Sequence, residues 1–429
     1  MTAAAPAGEA PSGERLLAQR GLRLLWLGET TSKVGSTVSG IALPLVALVT
    51  LHASTFAVAL LTAAAWLPWL VVGLPAGAWV DRLPGRPLMI GCDVASLLLM
   101  VSVPAAARLG VLTVPQLLVV ALLVGVATVF FATAYQVYLP ALVAEPDLPG
   151  ANALLQGSES AAQVAGPTLG GLLTQALGAV AGVLVDAISY AVSAICLLRL
   201  RRAPHHGTAS ERPVERGSLR AEIGTGLRFV LGDPYLRVNT IFGALSNLSL
   251  NAYGAILVAF LIRTLGVSPG LVGVLLSASL FGGVLGAALA PWLRDRLGSA
   301  YALLACKAGV APAALLIPLA QPGWRLVLVV LGGLIPGIGF VAGNVINGAW
   351  RQAYVPRELM GRAVVSMQFL NFGAIPVGAV LGGLGAATLG IRPTMWCSTA
   401  GVAVAALVLG LRLQHLTARR DGQPGIRRG

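Results

Sequence analysis

Runs of about 20 apolar residues, each long enough to cross a bilayer as a helix, follow one another along almost the whole chain. Inside hydrocarbon every backbone N–H and C=O must be satisfied within the protein. A chain built of such runs is therefore confined to a bundle of membrane-spanning helices. Twelve spans are expected, over 23–49, 55–80, 87–107, 113–136, 151–176, 179–200, 238–262, 268–293, 299–320, 325–349, 361–388 and 391–412. The breaks carry turn or charge signals at Asp81–Arg86, Glu145–Gly150, Arg294–Gly298 and Arg351–Arg362. Around Gly178 the gap is so short that its neighbours must form a tight hairpin.

Composition agrees. Of 429 residues, 56% are hydrophobic and 10% charged, against about 25% charged in a soluble domain. So little polar surface does not cover a water-facing body. The net charge of +13 sits largely as Arg in the short segments between apolar runs, where it sets topology, and no nucleic-acid partner is expected. Cys92, Cys196, Cys306 and Cys397 all lie inside apolar runs without CxxC spacing, which argues against a disulfide framework or a zinc site. The first twenty residues lack a basic-then-apolar order. The apolar stretch after Arg23 is too long for a signal-peptide core, so the first helix is expected to stay in the membrane.

Arginine placement orients the chain. With both termini cytoplasmic, 23 Arg fall on the cytoplasmic side, and only Arg108, Arg263, Arg325 and Arg392 fall outside, as the positive-inside rule requires. The preference of Arg over Lys (27 against two) suggests a high-GC bacterium, and hence a multi-pass protein of the bacterial inner membrane.

The one long interruption, 201–237, divides the chain. It begins as a Pro/His/Arg-rich linker, and from Ser218 its Leu219, Ile223, Leu227 and Val230 read as an amphipathic helix on the cytoplasmic membrane surface. His205 and His206 are read as solvated, with no metal. The resulting plan is an N-terminal tail (1–22), a six-helix bundle (23–200), the linker (201–237), a second six-helix bundle (238–412) and a basic tail (413–429). The bundles resemble each other at an offset of 211–214 residues. AGAWVDRLPG (76–85) lines up with APWLRDRLGS (290–299), and Cys92–Asp93 falls on Cys306–Lys307. PTLGGLL (167–173) and VGAVLGGLG (377–385) follow at nearly the same distance. Two parallel six-helix halves around a central cavity are an alternating-access architecture.

On these residues the chain resembles the major facilitator superfamily. GAWVDRLPGR (77–86) is similar to its loop 2–3 signature G-x-x-x-D-R-x-G-R, with one extra residue before the final Gly-Arg. A-x-x-x-G-P-x-x-G-G (162–171) resembles the helix 5 signature of its antiporters, with Ala162 where Gly is usual. LWLGETTSKVGSTVSGIALPLVAL and LVDAISYAVSA look like the branch that includes enterobactin exporters and macrolide efflux pumps. The helix 4 Arg of many drug antiporters is absent, since 113–136 carries no charge.

The resemblance implies a conformational gate at Gly77, Asp81, Arg82 and Arg86, in which Asp81 faces the start of helix 11 near Leu359–Gly361. Free backbone N–H groups there favour a carboxylate. In helix 5, Gly166, Pro167, Gly170 and Gly171 let backbones approach closely, and Pro167 releases a carbonyl one turn back. Contact with the Gly/Ala-rich helix 8 is expected, for packing or for hinge-like gating.

Charges inside spans are expensive, so each is a candidate. Glu29 and Lys33 are spaced for an i, i+4 ion pair, which either lines the cavity or neutralises itself. Glu159 lies on a polar stripe with Gln156 and Gln163 and has no basic neighbour in sequence. A carboxylate without a counter-ion in low dielectric is stabilised by protonation, which makes Glu159 the first proton-coupling candidate. Asp186, with Tyr190 and Ser193 following, reads as a hydrogen-bonded anchor or a second acidic site. Asp93 and Lys307 read as structural. Asn247, Asn251, Asn344, Asn347, Gln368 and Asn371 offer interhelical glue or substrate hydrogen bonds. Trp66 and Trp69 read as packing.

These features point to a monomeric secondary transporter without cofactor. It would export a small amphipathic molecule (drug, macrolide or siderophore class) by proton antiport, in contact with membrane lipids. An importer, a facilitator and a lipid flippase are the rival readings on the same fold. With no Walker A sequence and its four His in loops or tails, the chain reads neither as an ATPase nor as an enzyme. In a cysteine-free background, Arg108→Cys is expected to react with an impermeant maleimide in intact cells, and Ser218→Cys only after permeabilisation. The opposite pattern would invert the topology.

Overall fold

The computed structural model describes residues 13–80, 83–200, 227–355 and 357–421, and these are helices joined by short connections. In chain order the long helices are α1 (Arg20–Thr50), α2 (Thr55–Val71), α3 (Gly85–Arg108), α4 (Val114–Leu142), α5 (Leu148–Leu177), α6 (Ala179–Arg199), α7 (Pro234–Thr264), α8 (Pro269–Gly298), α9 (Tyr301–Leu319), α10 (Val327–Tyr354), α11 (Arg357–Thr388) and α12 (Ile391–Asp421). Ten are long and apolar enough to cross a membrane, where the sequence runs predict twelve. The other two depart for local reasons. α2 stops at Val71 and resumes as a separate helix, Gly73–Val80, because Pro75 has no N–H for the carbonyl of Val71. α5 has 30 residues, but the stripe Gln156, Ser158, Glu159, Ser160 and Gln163 leaves it too polar.

Glycine makes two of the sharp connections. Gly178 (φ 88°) turns α5 into α6, the hairpin expected there. Gly298 (φ 73°) turns α8 into α9. Both angles are in the left-handed region open to glycine without strain. In α9 the backbone is π-helical over Ala305–Gly309 and 3₁₀ over Ala311–Leu319, where Pro312 and Pro318 remove α-helical donors.

Packing follows a repeating scheme. α1 lies against α5 and α6, α3 against α4 and α6, and α2 against α4. Six helices later, α7 lies against α11 and α12, α9 against α10 and α12, and α8 against α10. Two seams join the sets, α5 with α8 and α2 with α11. At the end remote from the termini an apolar cluster crosses between them, with Leu45, Val58 and Leu61 meeting Ile256, Phe260 and Val272. At the other end, Leu16 of a short helix Gly13–Ala18 is buried with Leu22, Tyr138 and Leu139. Part of the stretch read as a tail is therefore packed. Val230, in the described end of the expected amphipathic helix, is buried with Leu236, Val355 and Met367. Residues 218–226 lie outside the described residues.

The seams depend on glycine. A Cβ on Gly171 would lie 2.5 Å from Pro269 O and 2.9 Å from Gly273 Cα, and one on Gly273 would overlap the Pro167 carbonyl. Gly171→Val is therefore expected to lower the thermal midpoint of the purified protein, overpacking costing about 1–3 kcal/mol. Gly157→Val, on the same helix with open space at its Cβ position, should leave the midpoint nearly unchanged.

Candidate substrate cavity

α1 and α5 run side by side in the same direction. Gly166 and Gly170 allow it, since a Cβ on Gly166 would overlap Thr37, and one on Gly170 would come within 2.9 Å of Val38 O. Thr37 Oγ1 donates to Ala162 O at 3.2 Å, and one turn nearer the termini Lys33 Nζ stands 3.3 Å from Glu159 Oε1. Trp26 Nε1 donates to Ser158 Oγ at 2.7 Å below them. The expected Glu29–Lys33 pair is thus replaced by a pair between helices. Close approach of α5 brings Glu159 within reach, and the pair stays partly exposed, at 45% and 34% of the side chains. That spares much of the desolvation cost of a buried ion pair.

The pair lies on the wall of a cavity of about 700 Å³. Among the described residues its lining comes wholly from α1–α6. Glu29, Ser36 and Ser39 of α1 face it, with Asp93 and Ser96 of α3, Gln156 of α5, and Asp186 and Tyr190 of α6. Trp66 and Trp69 of α2 and Phe131 and Tyr135 of α4 supply aromatic surface. Pro44, Leu61, Met100 and Val120 line it near the apolar cluster that crosses between the two sets.

The acids are held differently. Glu29 is 8% exposed and its Oε1 has no hydrogen-bond partner. Asp186, 1% exposed, accepts from Ser189 Oγ at 3.1 Å, has the hydroxyls of Ser36 and Ser39 beside it, and leaves Oδ2 without a well-formed bond. Gly35 makes this fit possible, because a Cβ there would overlap Ser189 Oγ. Tyr190 Oη lies 3.3 Å from Ser36 Oγ. Asp93, 2% exposed, has the Ser193 hydroxyl near it and Oδ2 unpartnered. Trp66 and Trp69 pack as expected, on each other and on Phe372 with ring centroids 6.2 and 5.9 Å away, and also border the cavity. Asp93, read as structural from its repeat-equivalent place with Lys307 near the cytoplasmic side, lines the cavity. A carboxylate in the middle of an apolar helix was the signal to follow.

The second set of helices contributes its polar residues elsewhere. Asn251 Nδ2 donates to Asn247 O at 2.8 Å. Asn347 and Asn371 are inside the protein with side-chain oxygens unpartnered, and Asn344, Gln368 and Gln163 are exposed. Among the described residues none of the six lines the cavity, nor does Gln163. Of the gate motif, Gly77 lies in the helix Gly73–Val80, and Asp81 and Arg82 lie outside the described residues. Arg86 donates from Nε to Leu197 O at 2.8 Å and from Nη2 to Leu198 O at 2.9 Å, closing the negative end of α6. Of the helix 5 motif, Gly166 and Gly170 serve α1, and Gly171 serves the expected contact with α8. No three His, Cys, Asp or Glu among the described residues gather to hold a metal.

A sequence profile of the transmembrane secretion effectors, a family of major facilitator transporters, matches residues 13–423. The chain belongs to that family. It is 29% identical over 388 residues to the multidrug efflux pump Tap of Mycolicibacterium fortuitum, covering 87% of this chain and 91% of Tap. It is 27% identical over 402 residues to the uncharacterised MFS-type transporter YfiS of Bacillus subtilis, covering 92% and 91%. Its fold matches a mutant of the nucleoside transporter NupG with TM-score 0.75 at 14% identity, covering 91% of this chain and 99% of NupG. These are all transporters, and this protein is a multi-pass membrane transporter and not an enzyme. Its Arg86→Met variant is expected to lose about 1.5–3 kcal/mol of stability as charged hydrogen bonds to the α6 end are removed. A drop in thermal midpoint would show this, and Arg86→Lys should recover only part of it.

Proposed function

We propose that this protein is a proton-coupled exporter of a small amphipathic molecule, of the drug, macrolide or siderophore class. It acts as a monomer in the bacterial inner membrane with both termini cytoplasmic. Its plan is twelve spans in two six-helix halves that rock against each other, with the described lining of the cavity on the first. The observation that carries this reading is the cavity itself, a roomy aromatic chamber with an openable ion pair and buried carboxylates on its wall. Proton uptake by a cavity carboxylate favours one rocked state and substrate the other, the differential binding that coupling requires.

The recurrence of helix pairings six helices apart supports the two-half plan. Contacts at the end remote from the termini support a state closed on that side. Arg263 donates from Nη1 to Thr55 Oγ1 at 3.1 Å and from Nη2 to Ala53 O, Gly270 N donates to Gln175 Oε1 at 3.0 Å, and Thr168 Oγ1 donates to Ser277 Oγ at 2.7 Å. The likeness to an efflux pump favours export, and a nucleoside transporter of similar fold keeps import as the alternative direction. A flippase reading draws on one feature, an apolar groove of about 530 Å³ between α2, α4 and α11, bordered by Leu67, Leu118 and Pro376.

The test is accumulation of fluorescent lipophilic compounds and macrolides in a pump-deficient bacterium. Cells would express wild-type or Glu159→Gln protein at matched levels, with and without a protonophore. Proton-driven export predicts lower accumulation in wild-type cells, abolished by the protonophore and by the substitution. Export that survives Glu159→Gln would remove this residue from coupling, and export indifferent to the protonophore would remove proton antiport.

A further inference from the structure

The charges around the cavity do not balance. Glu29, Asp93, Glu159 and Asp186 line it, and Lys33 is the single cationic side chain among its described lining residues. Glu29, Asp93 and Asp186 are each more than nine-tenths buried, and each keeps a carboxylate oxygen without a hydrogen-bond partner. A wall of this kind presents acceptors to a cationic ligand and only one cationic side chain, Lys33, to an anionic one. Lys33, on a flexible stem, touches Glu159 by one oxygen at 3.3 Å. Both partners are open to the cavity, so the pair separates at the low cost of a solvated ion pair and not the high cost of a buried one.

Trp66 and Trp69 stand in the same chamber, with ring centroids 6.4 Å apart. Indole faces attract organic cations, whereas an anion would meet four acids and one lysine. We infer that Lys33 is a tethered competitor. It holds the cation position beside Glu159, and the ligand is an amphipathic organic cation whose ammonium or phosphonium group displaces it from Glu159. The inference rests on reading the cavity as the substrate site, and it adds the ligand's charge and a residue that sets affinity.

Two probes of the same shape and opposite charge test it, tetraphenylphosphonium and tetraphenylborate. Each is titrated into full-length protein in nanodiscs, with binding read from tryptophan fluorescence. Wild-type protein is expected to bind the phosphonium and to discriminate against the borate. Removing the competitor with Lys33→Met should tighten phosphonium binding by about two- to fivefold, the range set by a solvated ion pair. Glu159→Gln should weaken it. Lys33→Gln serves as a second variant, and both are taken forward only if monodisperse with a wild-type thermal midpoint. Weaker or unchanged phosphonium binding in both lysine variants, or preference for the borate, would overturn the proposal. The accumulation assay separates this from the exporter reading. Phosphonium that binds as expected but is never extruded would sink export and leave the cation site standing. Extruded neutral macrolides with no phosphonium binding would do the reverse.

Discussion

Helices in lipid gain nothing by burying leucine against leucine, because the surrounding chains are equally apolar. They adhere through close backbone contact and polar bonds. In this protein that contact is set by glycine on α5. Gly166 and Gly170 seat the helix on α1, and Gly171 seats it on α8 opposite Gly273. The register of α1 on α5 then puts Thr37 on Ala162 and Lys33 on Glu159. One helix thus joins the two packed sets and also positions the only ion pair on the cavity wall among the described residues.

The same economy governs the other charges. Asp186, Arg86 and Lys307 are each supplied with a local partner, as the cost of an unpaired charge in hydrocarbon demands. Asp186 takes serine hydroxyls from its own helix and from α1. Arg86 takes the carbonyls that α6 leaves open at its end. Lys307, 8% exposed, donates to Asn239 Oδ1 at 3.3 Å and lies 4.9 Å from the Phe242 ring centre. Its repeat mate Asp93 faces the cavity. The two positions that line up in the sequence thus differ in place, Asp93 on the cavity wall and Lys307 in internal packing.

Much of the fold was legible in the residues. The apolar runs located the helix starts to within a few positions, although α4 and α12 run on past their expected ends to Leu142 and Asp421. Gly178 announced a hairpin, and the Gly-Pro-Gly pattern of α5 announced close contacts. Charge partners were less legible. Glu29 and Lys33 are spaced for a pair along one helix, and a helix in isolation would make it. Glu159 had no counter-ion within its own segment and found one 126 positions away. Asp93 reads as structural from its alignment with Lys307, while its neighbours in space are Ser193 and the cavity.

Sequence by itself determined that this chain is a helical membrane protein, roughly where its helices lie, and which family it resembles. Those follow from hydropathy, turn residues and motif spacing, all of which act over a few residues along the chain. Tertiary structure alone decided which acid Lys33 holds, that four carboxylates share one chamber, and that its described lining comes from the first six helices. These depend on which faces of distant helices meet, and that is set by backbone contacts at glycine whose register and full set of partners no local pattern encodes.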